Sequence, residues 1–450
     1  MKVSGAFAIF AAMDSQTIVA PMTPAGVSAV AALRVSGTQV RLVVERLFGT
    51  KAAKGLKPRM ANLGTARDPE SGKVLDSLLY IYFESPNSYT GEDVLELYPH
   101  GNPLIVRDLL QAIRSIEGVR LAEPGEYTRR AFLNGKMDLT QAESVADVIH
   151  SANRAELENA HRLLSGALSK KIATLTAQVK DISARLELDV DFAEEEADPD
   201  FAGWQERFEN IRTTILQILN SFRGKANLSR LPLAVLYGAP NAGKSSLVNA
   251  LLGEDRVLVS NVPGTTRDFV EVRLFLDGGE IRLVDTAGIA EHATDELDAL
   301  SMKKSREILE EADLKILVLD GTDSGEPVVQ PDFIVHSKCD VRESLPKTGF
   351  CISSKTGAGL AELKSVMNAA LFKKSDNAED LWITSEREKA CLEDAYAGVN
   401  RVLDLLRRNP AVELLAFEMQ LVRRSLQSIT GEISSEDILQ SIFAGFCIGK

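Results

Sequence analysis

The segment Gly238-Ala239-Pro240-Asn241-Ala242-Gly243-Lys244-Ser245 has the residue types and spacing to hold a chain of phosphates. It follows the G-x-x-x-x-G-K-[ST] pattern, in which glycines let backbone N–H groups wrap an anion and a lysine reaches its outer charges. Lys244 is the candidate cation for the terminal phosphates, and the Ser245 hydroxyl is a candidate magnesium ligand. Asp285-Thr286-Ala287-Gly288 supplies a carboxylate for the magnesium shell and an N–H at Gly288 for a γ-phosphate. Thr266, within Gly264-Thr265-Thr266-Arg267-Asp268, is placed to offer magnesium a second hydroxyl. Ser337-Lys338-Cys339-Asp340 stands where nucleotide-binding chains of this design carry Asn-Lys-x-Asp. A carboxylate at Asp340 accepts from guanine N1–H and N2–H, donors that adenine lacks, so the expected base is guanine. Ser353-Ser354-Lys355 provides a further loop for the base. With Ser337 in place of asparagine, an amide tether is lost, and weaker nucleotide affinity or a substituting water is expected, with the base unchanged.

These loops need a scaffold. The apolar run Leu233–Tyr237 reads as a buried parallel strand, and Ser246–Leu252 as a helix stopped at Gly253. Val270–Leu276, Ile281–Val284, Lys315–Leu319 and Phe333–Val335 read as further strands. Upstream, Val27–Val35 and Leu75–Phe83 read as strands, and Val40–Leu47 and Leu104–Ile116 as helices. Ala131–Phe192, Trp204–Phe222 and Ser385–Phe446 carry apolar residues at helical spacing. Glu194-Glu195-Glu196 reads as a solvated loop, and Asp376–Asp380 as a linker.

The expected fold is multidomain α/β: a P-loop GTPase domain with a Ras-like, mostly parallel sheet, inserted into an α-helical domain and preceded by an α+β domain. The expected ranges are 1–13 as an N-terminal extension, 14–129 as the α+β domain, and 130–228 with 376–450 as the helical domain. Residues 229–375 are then the nucleotide domain. Lys2 followed by Ala6–Ala12 has the look of a short signal peptide; the preferred reading is an extension before an internal start at Met13, the other an N-terminal strand.

The chain has 450 residues, enough for roughly three domains. A net charge of −13 argues against a general nucleic-acid binder, though not against a local basic patch. No apolar run is long enough to cross a bilayer. The four cysteines, Cys339, Cys351, Cys391 and Cys447, form no C-x-x-C pair, so neither zinc nor a disulfide framework is expected, and a reducing cytoplasm fits.

Hydrolysis poses a problem. Ile289 follows Gly288, where Ras-like proteins use glutamine to orient water. Asn241 can be a turn residue after Pro240 or a ligand for a monovalent cation. In this it resembles the potassium-dependent, dimerisation-activated GTPases. That resemblance implies a potassium ion held by Asn241, the carbonyls of Ser260 and Val262, and Thr265, in the space an arginine finger would fill. It also extends the nucleotide-contacting set to Ala242, Gly243, Ser246, Asn261 and Pro263.

The chain ends Phe446-Cys447-Ile448-Gly449-Lys450. With the inserted GTPase domain, this tail resembles the MnmE (TrmE) family of tRNA-modification GTPases. The likeness extends from about Thr17 through Leu33-Arg34-Val35-Ser36-Gly37, Pro86–Asp93, Glu123–Thr128, Arg130–Lys136 and Ile429–Glu432. It implies a tetrahydrofolate-binding-like N-terminal domain that mediates homodimerisation. Arg34, Glu96, Lys136 and Lys450 would contact 5-formyltetrahydrofolate or a related folate, with Cys447 as a candidate reactive thiol. It further implies a heterotetramer with the flavoprotein MnmG, which carries FAD and uses NADH. Together they would install an aminomethyl or carboxymethylaminomethyl group at C5 of the wobble uridine of tRNA, with Mg2+, K+ and GTP driving the cycle. The family's switch II glutamate aligns with Asp298, with Glu296 as a competing assignment. Departures are Val27-Ser28-Ala29 in place of a Gly-rich stretch, Ser337, and Ser301 in place of glycine. A ribosome-assembly GTPase would share the nucleotide motifs, and a metal-centre maturation factor would call for a cysteine set that is not present.

Overall fold

The computed structural model describes residues 16–191, 201–224, 230–253, 269–286, 306–320, 329–341, 348–372, 381–408 and 411–450. The expectations for residues 1–13, Glu194–Glu196 and Asp376–Asp380 therefore lie outside the described residues. The chain divides into two compact units: Met1–Ala146, Leu163–Leu219 and Glu386–Lys450 form one, and Asp147–Arg162 with Asn220–Ser385 the other.

The first unit opens with β1 (Thr17–Pro21), β2 (Ser28–Val30) and β3 (Leu33–Ser36). Helices α1 (Val40–Phe48) and α2 (Thr50–Lys54) follow, then β4 (Ala61–Arg67), β5 (Val74–Phe83), β6 (Val94–Tyr98) and β7 (His100–Gly101). α3 (Pro103–Arg114), β8 (Val119–Leu121) and α4 (Glu126–Leu133) complete this part. Six strands form one sheet in the order β4-β5-β6-β3-β1-β8. The run Val27–Val35, read as one strand, is two: β2 lies outside the six-stranded sheet and pairs with β7, and the Ala31 N–H between them donates to the Pro99 carbonyl at 2.9 Å. Alternation sorts β1 by face: Val19 joins Leu33, Val35, Leu97 and the helices α1 and α3, while Ile18 and Ala20 pack against Tyr127. α3 starts where Asn102 accepts from the Leu104 N–H at 2.8 Å with Pro103 at its first turn, a capped helix entry.

Helices α5 (Leu139–His150), α6 (Arg154–Leu164), α7 (Ala167–Asp191) and α8 (Phe201–Asn220) lead on. After the nucleotide-binding segment, whose helices α9 (Lys244–Leu251) and α10 (Leu360–Leu371) belong to the second unit, come α11 (Glu386–Leu406), α12 (Val412–Thr430) and α13 (Glu436–Ala444). Buried Leu392, Ala395, Val399 and Val402 on α11 recur at three and four, the stripe that a helix buries against neighbours. At Gly398 a Cβ would lie 2.6 Å from a Val422 methyl, so the glycine permits α11 and α12 to approach this closely. α13 buries Leu439 and Phe443 in a cluster with Leu139, Ala142 and Phe446. Gly125, at φ +67°, would place a Cβ 2.7 Å from the Phe443 carbonyl oxygen, and at Gly449, φ +99°, a Cβ would collide with the Pro21 carbonyl. Glycine at both positions lets the C-terminal segment lie directly on the N-terminal sheet.

In the second unit β9 (Leu233–Tyr237) leads into α9 (Lys244–Leu251), then β10 (Phe269–Leu276), β11 (Gly279–Thr286), β12 (Leu314–Leu319), β13 (Phe333–His336), β14 (Phe350–Cys351) and α10 (Leu360–Leu371). The sheet order β10-β11-β9-β12-β13-β14 is parallel except for the β10–β11 hairpin. All five residues of β9 are buried, as a central strand covered on both faces requires. Residues 147–162, expected with the helical domain, group here. Asn159, 2% exposed, accepts from the Trp382 N–H at 3.1 Å and donates to the Trp382 carbonyl at 2.9 Å. Among the described residues no helix is long and apolar enough to cross a membrane.

Asn159→Ala should lower the stability of the second unit by roughly 2–4 kcal/mol, since it strands two buried backbone groups. Trp382 is one of two tryptophans, so urea unfolding followed by its fluorescence in a Trp204→Phe background reads the change.

Candidate functional site: a phosphate loop, a guanine loop and a cationic cluster

The turn between β9 and α9 is built from unusual backbone. Gly238 has φ +142°, Asn241 φ +65° and Gly243 φ +97°. Glycine reaches such angles without strain, and asparagine is the non-glycine residue that best tolerates the left-handed region. A Cβ at Gly238 would collide with the Val318 carbonyl on β12. Gly243 is the N-cap of α9, so the helix offers its N–H groups and the positive end of its dipole to the loop. Lys244, 6% exposed, donates from Nζ to the carbonyls of Gly238 at 3.0 Å and Ala239 at 2.9 Å. Its ammonium thus lies over the loop that cradles phosphate.

Ser245 Oγ donates to Asp285 Oδ2 at 2.5 Å. Asp285 is 6% exposed, and its Oδ1 has no hydrogen-bond partner among the described residues. A buried carboxylate oxygen without a partner is costly, and a divalent cation relieves that cost. A hydroxyl and a carboxylate are hard oxygen donors of the kind magnesium prefers, so these two residues fit the ion. Thr286 Oγ1 donates to the Leu236 carbonyl at 2.9 Å, which ties the end of β11 to β9 and fixes Asp285.

The guanine loop follows β13. Ser337, 2% exposed, donates from Oγ to the Ala242 carbonyl at 2.6 Å. The tether expected to be missing is therefore made by a hydroxyl, and it joins the guanine loop to the phosphate loop. A Cβ on Gly243 would sit 3.2 Å from Ser337 Oγ, so the two loops are in close contact. Lys338, at φ +57°, donates from Nζ to the Asn241 carbonyl at 3.0 Å and to Asp320 Oδ2 at 3.1 Å. Asp320 escaped the sequence reading; its position just beyond the end of β12, at the carboxyl edge of a parallel sheet, was the available clue. Asp340 is exposed, and a hydrogen bond from Ser353, then its own backbone N–H and the nearby Lys355, hold its carboxyl below the usual carboxylate range. Ser353 is held by Ala358 and Gly357 in a tight turn, and Ser354 and Lys355 ride on it.

Other expected residues fall outside the described residues: Ser260, Asn261, Val262, Pro263, Gly264, Thr265, Thr266, Ala287, Gly288, Ile289, Glu296, Asp298 and Ser301. Ser246 is exposed in the first turn of α9.

In the first unit a second constellation forms on the sheet face opposite α1 and α3. Arg34 donates to Glu96 Oε1 from Nε at 3.1 Å and from Nη2 at 2.8 Å, across the β3–β6 pair. Tyr98 donates its hydroxyl to Glu96 Oε2 at 2.5 Å. The Arg34 guanidinium lies 4.9 Å from the Tyr89 ring centre and 5.7 Å from that of Tyr127. Its Nη1 is buried with no partner among the described residues. Burial first, then the charge of Arg34, lowers the Lys450 ammonium below its usual range, against an opposing effect of Glu96. Gly449, next to Lys450, packs on the Pro21 carbonyl of β1, and Pro21 pairs with Leu33 beside Arg34, so the tail cation and Arg34 share one neighbourhood. Lys136 is exposed and donates to the Pro86 carbonyl at 2.8 Å, and Cys447 is exposed one turn before Lys450.

Two family models match this chain. The model of the MnmE helical domain matches residues 139–447, and that of the GTP-binding protein TrmE N-terminus matches residues 17–136. Curated relatives carry the name tRNA modification GTPase MnmE. That of Syntrophus aciditrophicus is 37% identical over 460 residues, spanning 97% of this chain and 100% of that protein. That of Parvibaculum lavamentivorans is 37% identical over 441 residues, with the same coverage of both chains. That of Dichelobacter nodosus is 37% identical over 458 residues, covering 97% of this chain and 99% of its own.

Ser337→Ala should weaken GDP binding about 5- to 30-fold by leaving the Ala242 carbonyl buried and unpaired. Ser337→Thr, which keeps the hydroxyl, should recover part of the loss. Equilibrium titration with a fluorescent guanine nucleotide measures both.

Proposed function

This chain belongs to the MnmE family of tRNA-modification GTPases, and from that premise we propose a division of labour between its two units. The chain hydrolyses GTP and acts in tRNA modification. In our reading, the second unit runs a potassium-dependent GTPase cycle, and the first holds a folate that supplies a one-carbon unit. The product is a C5 aminomethyl or carboxymethylaminomethyl group on the wobble uridine of tRNA. The working assembly is a homodimer joined to a flavoprotein of the MnmG kind, which brings FAD and NADH, in the cytoplasm.

The observation that carries the two-centre reading is the Arg34–Lys450 neighbourhood. The tail that ends in Lys450 packs on Pro21, Arg34 bonds to Glu96, and one Arg34 guanidinium nitrogen is buried without a partner among the described residues. An anionic ligand bearing hydrogen-bonding ring atoms, as a folate does, satisfies both. Arg34, Glu96, Lys136 and Lys450 would hold it, with the Cys447 thiol nearby in sequence.

In the second unit, Lys244 binds the outer phosphates and the helix dipole of α9 stabilises their charge. Ser245 and Thr266 would hold magnesium, which would supply charge neutralisation for the phosphates, and Asp285 would support its shell. Asp340 reads guanine, with Lys338, Ser353, Ser354 and Lys355 around the base. Asn241, Ser260, Val262 and Thr265 would hold potassium where other GTPases insert an arginine. Asp298, or Glu296, orients water in place of the glutamine that Ile289 excludes. Residues 229–375 act as the inserted nucleotide domain and 14–129 as the dimerising one.

GTP turnover should be at least about tenfold faster in potassium than in sodium at protein concentrations that permit pairing, since the ion replaces a charge worth orders of magnitude in rate. Equal rates would remove the cation site. Cys447→Ser should spare GTP turnover and abolish most C5 modification, read by mass analysis of wobble uridines in tRNA from complemented deletion cells. Unaltered wobble uridines in the deletion itself would favour an RNP-assembly switch instead.

A further inference from the structure

The β10–β11 turn is fastened to a helical segment outside the nucleotide-binding sequence. Arg154 N–H donates to the Gly278 carbonyl at 2.8 Å, and Glu280 N–H donates to the Ala152 carbonyl at 3.1 Å. Between them Asn153 and Gly279 form an antiparallel bridge. Gly279 has φ +150°, and a Cβ there would lie 2.6 Å from the Ala152 oxygen and 2.7 Å from the Asn153 Cα. On its other side the turn is held by α10: Gly278 N–H donates to Asn368 Oδ1 at 2.6 Å, and the missing Gly278 Cβ leaves room for the Phe372 ring.

The helical side is equally well defined. Asn153 caps α6 by accepting from the Glu156 N–H at 2.9 Å, and Glu156 Oε2 accepts from the Ala152 N–H at 2.9 Å. This reciprocal capping fixes residues 152–156 as a rigid corner. The same segment is held near its ends, where Thr384 donates to Asp147 Oδ2 at 2.9 Å and Asn159 brackets Trp382. Arg223 lies 4.2 Å over the Trp382 ring and its N–H donates to the Ile383 carbonyl at 3.0 Å, so the chain segments before and after the nucleotide segment are joined here.

The hairpin connects this corner to the chemistry. β10 begins directly after Asp268, and β11 ends at Asp285 and Thr286. The two strands pair without interruption from Phe269↔Thr286 to Leu276↔Gly279. Asp285 is six residues from Gly279, about 20 Å of stiff strand. A nucleotide phosphate bound beside Asp285 would add contacts at one end of this lever, and a ladder in fixed register would pass displacement to the other.

We propose that the Gly278–Gly279 turn, latched to Ala152–Arg154, is the relay by which nucleotide state moves the helical segment 147–162. It rests on GTP binding alone and stands apart from the folate and wobble-uridine reading.

The test is hydrogen–deuterium exchange on the full-length protein with GDP and with a non-hydrolysable GTP analogue, both with magnesium. Amides within 147–162 of the wild type should exchange at least about fivefold differently between the two states, since displacing the latched segment changes its local opening free energy. Arg154→Pro removes one latching N–H at a first helical position, where proline is tolerated, and should cut that difference below about twofold. Arg154→Ala keeps the N–H and should behave as wild type. Gly279→Ala opens the latch sterically and should match Arg154→Pro, which keeps the test intact if either variant folds poorly. Binding of the analogue should stay within about twofold of wild type throughout. An unresponsive 147–162 in the wild type, or an undiminished response in both Arg154→Pro and Gly279→Ala, overturns the relay.

Discussion

A buried carboxylate with one satisfied oxygen sets the terms for the nucleotide unit. Asp285 lies at the carboxyl end of β11, bonded to Ser245 through Oδ2, with Oδ1 lacking a partner among the described residues. Burying that charge is affordable only if a cation and the phosphate loop are held at fixed distance from it. The surrounding bonds serve this end. Thr286 ties β11 to β9, Gly238 lets the phosphate loop pass close to β12, and the β10–β11 ladder holds the strand in register.

The guanine loop depends on the same fixed geometry from the opposite side. Ser337 and Lys338 both bond to backbone carbonyls of the phosphate loop, at Ala242 and Asn241. The two loops are thereby bonded into one unit. A serine performs the tethering here because Gly243 leaves its hydroxyl room to reach the Ala242 carbonyl. Asn241, at φ +65°, lies in the turn that links β9 to α9.

In the first unit charge is managed by pairing and aromatic packing. Arg34 is bracketed by Glu96 and two tyrosine rings, and the Tyr127 hydroxyl donates to the Arg34 carbonyl at 2.6 Å. Gly125 and Gly449 bring the C-terminal segment onto this sheet, so a lysine at the chain end comes beside an arginine near its start. Glycine is required at both places because a side chain would strike backbone rather than a movable group.

Local pattern carried much of this protein. The P-loop, the order of the guanine-nucleotide motifs, the buried strands and the helical stripes follow from spacing and residue type, because backbone conformation and periodicity are short-range properties. The tail and N-terminal motifs pointed to the family for the same reason. Other features are pairings at a distance, which periodicity does not encode: Ser337 with Ala242 across 95 residues, Asn159 with Trp382 across 223, Arg129 with Glu436 across 307. The split of Val27–Val35 into strands of two sheets and the grouping of residues 147–162 with the nucleotide unit belong with them. The sequence by itself determined which residue types each loop presents. The tertiary structure decided which loops are bonded to one another, since only packing selects one partner among many chemically equivalent ones.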